Sequence, residues 1–198
     1  MTMISFLKGA IAHKNPTYIV VEAGGVGYHV NISLNTYAQV EKLEKVKIFT
    51  HLHVKEDSQT LYGFAEPFER HVFVNLISVN GIGPNTARVV LSYMNAEDVR
   101  NAIISENVPA FQAVKGVGPK TAKRIILDLK DKFLKEGGQS PSSTILIDNT
   151  LRNEALSALL ALGFNKKQVE KTLNKVLPDI QEEASVETVI KGALKQLT

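Results

Sequence analysis

Two stretches of the chain have the residue types and spacing that suit the grip of a phosphate group, and they are copies of each other. NGIGPNTAR at 80–88, written over KGVGPKTAK at 115–123, aligns Gly81 with Gly116, Gly83 with Gly118, Pro84 with Pro119, Thr86 with Thr121 and Ala87 with Ala122, and sets Arg88 on Lys123. Upstream, Leu76 and Val79 fall on Phe111 and Val114, so each copy reads as helix, G-x-G hairpin, helix. Glycines allow positive φ and leave no side chain between the backbone N–H groups and a ligand. Pro84 and Pro119 suit the first turn of a helix, where the missing N–H would be unpaired in any case. The product is a helix N-terminus with free donors and a positive dipole end, aimed at a phosphate oxygen. Such donors read no base, so the contact is independent of sequence.

Side chains around the hairpins extend this chemistry. Ile82 and Val117 lie inside the two G-x-G turns, and Lys120, Thr121, Lys123 and Arg124 occupy the first turns after the second one, where cations can surround a held phosphate. The first copy has Asn85, Thr86 and Arg88 in the corresponding places, so the second hairpin is expected to be the stronger anchor. Lys130, Lys132 and Lys135 read as a solvated helix face.

Other candidate chemistry is thinner. A nucleotide-binding loop of the Walker type needs Gly directly before Lys-Ser/Thr, and Pro119 stands there before Lys120-Thr121. Residues 25–30, GVGYHV, do not make a dinucleotide fingerprint. Glu56 and Asp57 form an acidic pair at a tight turn, unaccompanied by the further carboxylates that a magnesium-dependent nuclease would bring from separate elements. His51 and His53 share one face of a strand but lack enough companions for zinc, and read as barrel packing or surface. We therefore expect no catalytic residues, no metal site and no cofactor.

The elements that must carry these residues change character along the chain. Residues 1–65 run as ISFLKGAIAH, YIVVEA, GYHVNIS, VKIFTHLHV and TLYGF, separated by turn signals and one helical stretch, LNTYAQVEKL. Five such strands suit a small closed barrel of the OB-fold kind. From Pro67 the period becomes that of a helix, and 66–136 is expected to be all-helical, with segments near 96–104, 108–114 and 120–134. Residues 137–149, from GGQSPSSTILIDNT, read as a flexible linker. Three short amphipathic helices follow in 150–198, at about 150–162, 166–177 and 185–197, broken by Gly163 and by Pro178-Asp179.

Charge follows the same division. The net charge of +3 is modest, but residues 115–135 hold seven basic side chains against two acidic ones, while 141–198 balance at seven and seven. Cysteine is absent, which removes disulfides and thiolate metal sites and is compatible with a reducing cytosol. No apolar run reaches the roughly 18 residues of a membrane helix, so the chain is expected to be cytoplasmic, without a membrane partner.

Both copies resemble the helix-hairpin-helix motif of DNA repair and recombination proteins. Tandem copies after a barrel, with GGVGY at 24–28, VKEDSQTLYGF at 54–64 and LLALGF at 159–164 in this order, resemble over essentially the whole length the RuvA family of Holliday-junction-binding subunits. Family members often carry a basic residue where this chain has Asn85. The resemblance implies a homotetramer, or an octamer on DNA, that binds four-way junction DNA, holds it open and square-planar, and serves the hexameric ATPase RuvB, with the RuvC resolvase as a further partner. It also implies that Glu56 and Asp57 form an acidic pin at the fourfold centre, where carboxylates repel phosphates and guide the parted strands. LLALGF followed by NKKQVEKTL is similar to the start of a ubiquitin-associated-like three-helix fold, and Leu159, Leu162, Phe164 and Leu194 become the candidates for motor binding. Two rivals stay open at this stage: a structure-selective nuclease or lyase that uses the hairpins for docking, and a general duplex-binding protein.

Overall fold

The computed structural model describes residues 3–137, 146–177 and 185–197. The chain divides into two compact units, Met1–Gly138 and Gln139–Thr198.

In the first unit, alternation of side chains builds a barrel. Strand β4 (Lys45–Val54) buries Val46, Ile48 and Thr50 and exposes Lys45 and Lys47, the two-residue period of a sheet with one dry face. With β1 (Phe6–Asn15), β2 (Tyr18–Ala23), β3 (Val26–Ile32) and β5 (Gln59–Phe64) it closes in the order β1-β2-β3-β5-β4, antiparallel except for the parallel pair β3–β5. Leu7, Ile19, Val21, Val30, Ile32, Val40, Val46 and Ile48 fill the interior. Between β3 and β4 lies helix α1 (Leu34–Val40), capped by Ser33, whose hydroxyl accepts from Thr36 N–H. This is the OB-fold expected from the sequence.

The helical half begins at Pro67, the first residue of α2 (Pro67–Ser78), and continues through α3 (Pro84–Tyr93), α4 (Ala96–Ile104), α5 (Val108–Gln112) and α6 (Pro119–Gly137). Its core includes Tyr62 and Phe64 from β5 beside Phe73 from α2, so barrel and helices share apolar contacts. A buried carboxyl also fastens them: Glu69 of α2 accepts from Ser33 Oγ at 2.5 Å and Thr36 Oγ1 at 2.6 Å on α1. Burial pushes this carboxyl above the usual carboxylate range, against the pull of those two hydroxyl donors.

The second unit contains α7 (Leu146–Ala161), α8 (Lys166–Val176) and α9 (Val186–Leu197), packed around Ala155, Leu159, Val169, Leu173, Val189 and Ala193. Helix α7 starts at Leu146, four residues before the expected start near 150, and takes in the apolar Leu146 and Ile147 that follow the polar stretch. The rest of the expected linker, 138–145, and the Pro178-Asp179 break lie outside the described residues.

Candidate nucleic-acid interface

The sequence repeat is a structural repeat at atomic detail. Gly81 has φ +94° and Gly116 φ +92°, a region that side-chain-bearing residues rarely enter. Ile82 N–H donates to Val79 O, and Val117 N–H to Val114 O, both at 3.1 Å, which closes the two turns in the same way. Leu76, Val79, Ile82 and Ala87 are buried in one copy and Phe111, Val114, Val117 and Ala122 in the other. The first bond of α3 is Ala87 N–H to Gly83 O at 3.0 Å, and that of α6 is Ala122 N–H to Gly118 O at 2.9 Å. The amides of Asn85 and Thr86, and those of Lys120 and Thr121, therefore precede the helical ladder and are free to donate.

Gly83 and Gly118 are the informative pair. Gly83 has φ −86° and ψ 167°, a conformation open to any residue, and a Cβ built at Gly83 or Gly118 meets nothing within 4 Å. By contrast, a Cβ on Gly63 inside the barrel would lie 2.4 Å from Val30 Cγ1. Packing explains glycine at 63; at 83 and 118 no neighbour excludes a side chain, and glycine is one of several residues that suit a helix N-cap. All four hairpin glycines are exposed. What glycine leaves at 83 and 118 is clear approach from outside to the amides that follow. The amides of Ile82 and Val117 differ from the expectation: they are used within the turns and their side chains anchor the hairpins in the core.

The expected basic side chains divide into two groups. Lys120, Lys123 and Arg124 are exposed near the second hairpin, Arg124 lying 3.9 Å from Asp128, while Asn85 is exposed and Thr86 and Thr121 are half-buried at the helix starts. Arg88 is turned to the barrel instead, its guanidinium donating to Thr17 O at 2.8 Å. Lys132 and Lys135 are exposed and Lys130 half-buried, as a solvated face requires, but two of these side chains also have partners. Lys130 pairs with Glu106, just beyond α4, against which α6 packs, and Lys132 donates to the buried Asn75 of α2.

Glu56 and Asp57 sit in the turn between β4 and β5, closed by Lys55 N–H donating to Ser58 O at 2.8 Å, and both are exposed. His51 is half-buried, its ring 5.6 Å from that of Phe73 and its Nδ1 without a hydrogen-bond partner. Burial, then the neighbouring His53 and Arg70, lowers its pKa, so it packs as a neutral ring.

In the second unit, α7 ends in a glycine C-cap: Gly163 has φ +93°, Phe164 N–H donates to Leu159 O at 3.2 Å and Gly163 N–H to Leu160 O at 3.0 Å. This turn presents Leu162, 61% exposed, with Leu160 beside it, a residue that the sequence reading did not single out. Phe164 and Leu194 are partly buried against the core. Leu159 is fully buried, so of the four candidates it serves the core and offers no surface to a partner.

Comparison with known proteins agrees with these parts. Residues 3–63 match the family model "RuvA N terminal domain", residues 73–131 a "SAM-like Helix-hairpin-helix tandem", and residues 150–198 "RuvA, C-terminal domain". The chain is 51% identical over 195 residues to a protein of Christiangramia forsetii, covering 98% of this chain and all of that relative. It is 47% identical to one of Cytophaga hutchinsonii, covering 98% and 99%, and 49% identical to one of Flavobacterium psychrophilum, covering 98% and 100%. Each of the three is named "Holliday junction branch migration complex subunit RuvA".

Proposed function

The chain belongs to the RuvA family, and from that premise we propose that it binds four-way DNA junctions, holds them open and recruits an ATP-driven motor, without catalysing a reaction itself. The observation that carries this reading is the repeated hairpin with exposed glycine caps at 83 and 118, which leaves two sets of helix N-terminal amides open to phosphate. Lys120, Lys123 and Arg124 add charge at the second site, and Gly81, Gly116, Asn85, Thr86 and Thr121 complete the two grips. A branched substrate with four equivalent arms calls for a protein of matching symmetry, so the working form is a homotetramer in the cytoplasm, with Glu56 and Asp57 at its centre repelling the crossover phosphates. Two unit charges 4 Å apart interact by about 1 kcal/mol in water and several times that near a protein surface, enough to keep parted strands from collapsing onto each other.

The C-terminal unit presents Leu162 with Phe164 and Leu194 to the RuvB-type motor through a glycine-capped turn. Its balanced charge suits a protein partner better than DNA. Residues 1–65, 66–136 and 150–198 then divide the work into guiding, gripping and coupling.

The test is a gel-shift comparison of a four-way junction with linear duplex of equal length in the presence of Mg²⁺, scoring binding and cleavage together. Strong preference for the junction with no strand cutting is the expected result. Cutting would return the nuclease reading, and equal affinity for both DNAs would return the general duplex binder.

A further inference from the structure

The two hairpins are equivalent in themselves but not in how they are held. On α3 a run of polar contacts joins the first hairpin to the barrel. Arg88 donates to Thr17 O at 2.8 Å; Ser92 Oγ donates to Arg88 O at 2.8 Å and accepts Leu34 N–H at 3.0 Å; Asn35 Nδ2 donates to Leu91 O at 2.5 Å. One turn of α3 is thus tied to both the β1–β2 turn and the start of α1.

The barrel side of this seam is rigid. Thr17 O also accepts Ile32 N–H from β3 at 3.0 Å, so both of its lone pairs are engaged. Thr17 N–H and Oγ1 both donate to Asn15 Oδ1, at 3.0 and 2.8 Å. The adjoining Tyr18 ring is stacked between His13 and His29, with centroid separations of 5.5 and 4.3 Å. Strand β3 in turn pairs with β5, which leads directly out of the acidic turn at Glu56 and Asp57. A continuous path of hydrogen bonds therefore joins that turn to the first hairpin. In the second copy Lys123, which occupies the position of Arg88, is exposed and has no ion-pair partner among the described residues.

We propose that Arg88 is a positioning residue: with Asn35 and Ser92 it sets the first hairpin in fixed register with the acidic turn, while the second hairpin supplies charge-based grip. This rests on the junction-binding reading. A single arm of duplex can be held by hairpins in any mutual arrangement, whereas a junction must meet hairpin and acidic turn at a set spacing. Arg88 thus acts on selectivity for branched DNA rather than on phosphate neutralisation, unlike Lys123.

The two roles separate by salt. Each cation on a phosphate contributes about −0.9 to the slope of log K against log salt. The full-length chain, its Arg88→Gln variant and an Asn35→Ala/Ser92→Ala double variant are titrated with junction and linear duplex over a NaCl series, with melting curves alongside. For both variants we expect linear-duplex affinity within about threefold of the parent, a salt slope within about 0.5 of it, and a junction-over-duplex preference reduced at least about tenfold. If Arg88→Gln flattens the slope by about 0.9 per bound protomer and weakens both DNAs together, Arg88 is a phosphate contact and the proposal falls. Unchanged preference in the double variant also overturns it. That variant decides alone if Arg88→Gln does not fold, since it removes no charge. A parent chain without junction preference would sink the functional reading itself, and is told apart because it needs no variant.

Discussion

Glu69 shows what a single buried side chain contributes. It is 5% exposed and joins α2 to α1 through two hydroxyl donors, yet burial still raises its pKa. For an acid whose folded value lies above its unfolded value, the folded state binds the proton more tightly. The stabilisation is therefore present at low pH and is lost as pH rises through the folded value. Glu69→Gln removes the titration while keeping a polar group for Ser33 and Thr36. Its melting temperature relative to the parent should climb as pH goes from about 4.5 to 8, and a difference that falls over this range would contradict the assignment. Glu69→Ala should instead destabilise at every pH, by roughly 1–3 kcal/mol for each hydroxyl left without its acceptor. Thermal unfolding across a pH series measures both. No sequence pattern announces Glu69: in PFERHVF it reads as an ordinary first-turn acid, and its burial follows from the barrel's helix lying against it.

Elements with local signals were the legible ones. Alternation in KVKIFTHLHV, proline at 67, 84 and 119, and the LGF turn at 162–164 each express a backbone requirement met within a few residues, and strands, helix starts and the glycine cap stand where those signals put them. Signals that depend on a distant partner were not legible. Arg88 aligns with Lys123, yet it is turned to Thr17, 71 residues away, and Lys132 reaches Asn75, 57 residues away. The start of α7 at Leu146 precedes the expected one near 150 because Leu146 and Ile147 follow closely on Gly, Ser and Pro that read as linker. The β4–β5 turn carries the prediction proper to this scale. Glu56→Gln with Asp57→Asn removes repulsion from an exposed turn without touching the core, so junction affinity should hold or rise, most visibly at low salt where charges are least screened. Weaker junction binding by the neutral turn in a low-salt gel shift would show that the acids do not act by repulsion.

At the scale of the whole molecule, the barrel and the two hairpins share one unit, and the glycine-capped turn at Leu162 belongs to another. The proposed binding and coupling can then be tested apart, and the proposed binding rests on amides that the protein leaves uncovered at two related places. Substituting Val for Gly83 and Gly118 together tests this most directly. Neither position needs positive φ or meets a neighbour at Cβ, so the fold should survive with a loss of about 1 kcal/mol per helix start. The branched side chains would stand where phosphate must approach. Each hairpin would lose charge-assisted hydrogen bonds of about 1.5–3 kcal/mol, which corresponds to roughly ten- to hundredfold per site. The double variant should fold and bind a four-way junction at least about a hundredfold more weakly than the parent; a folded variant that binds the junction as tightly as the parent would show that these amides do not carry the grip.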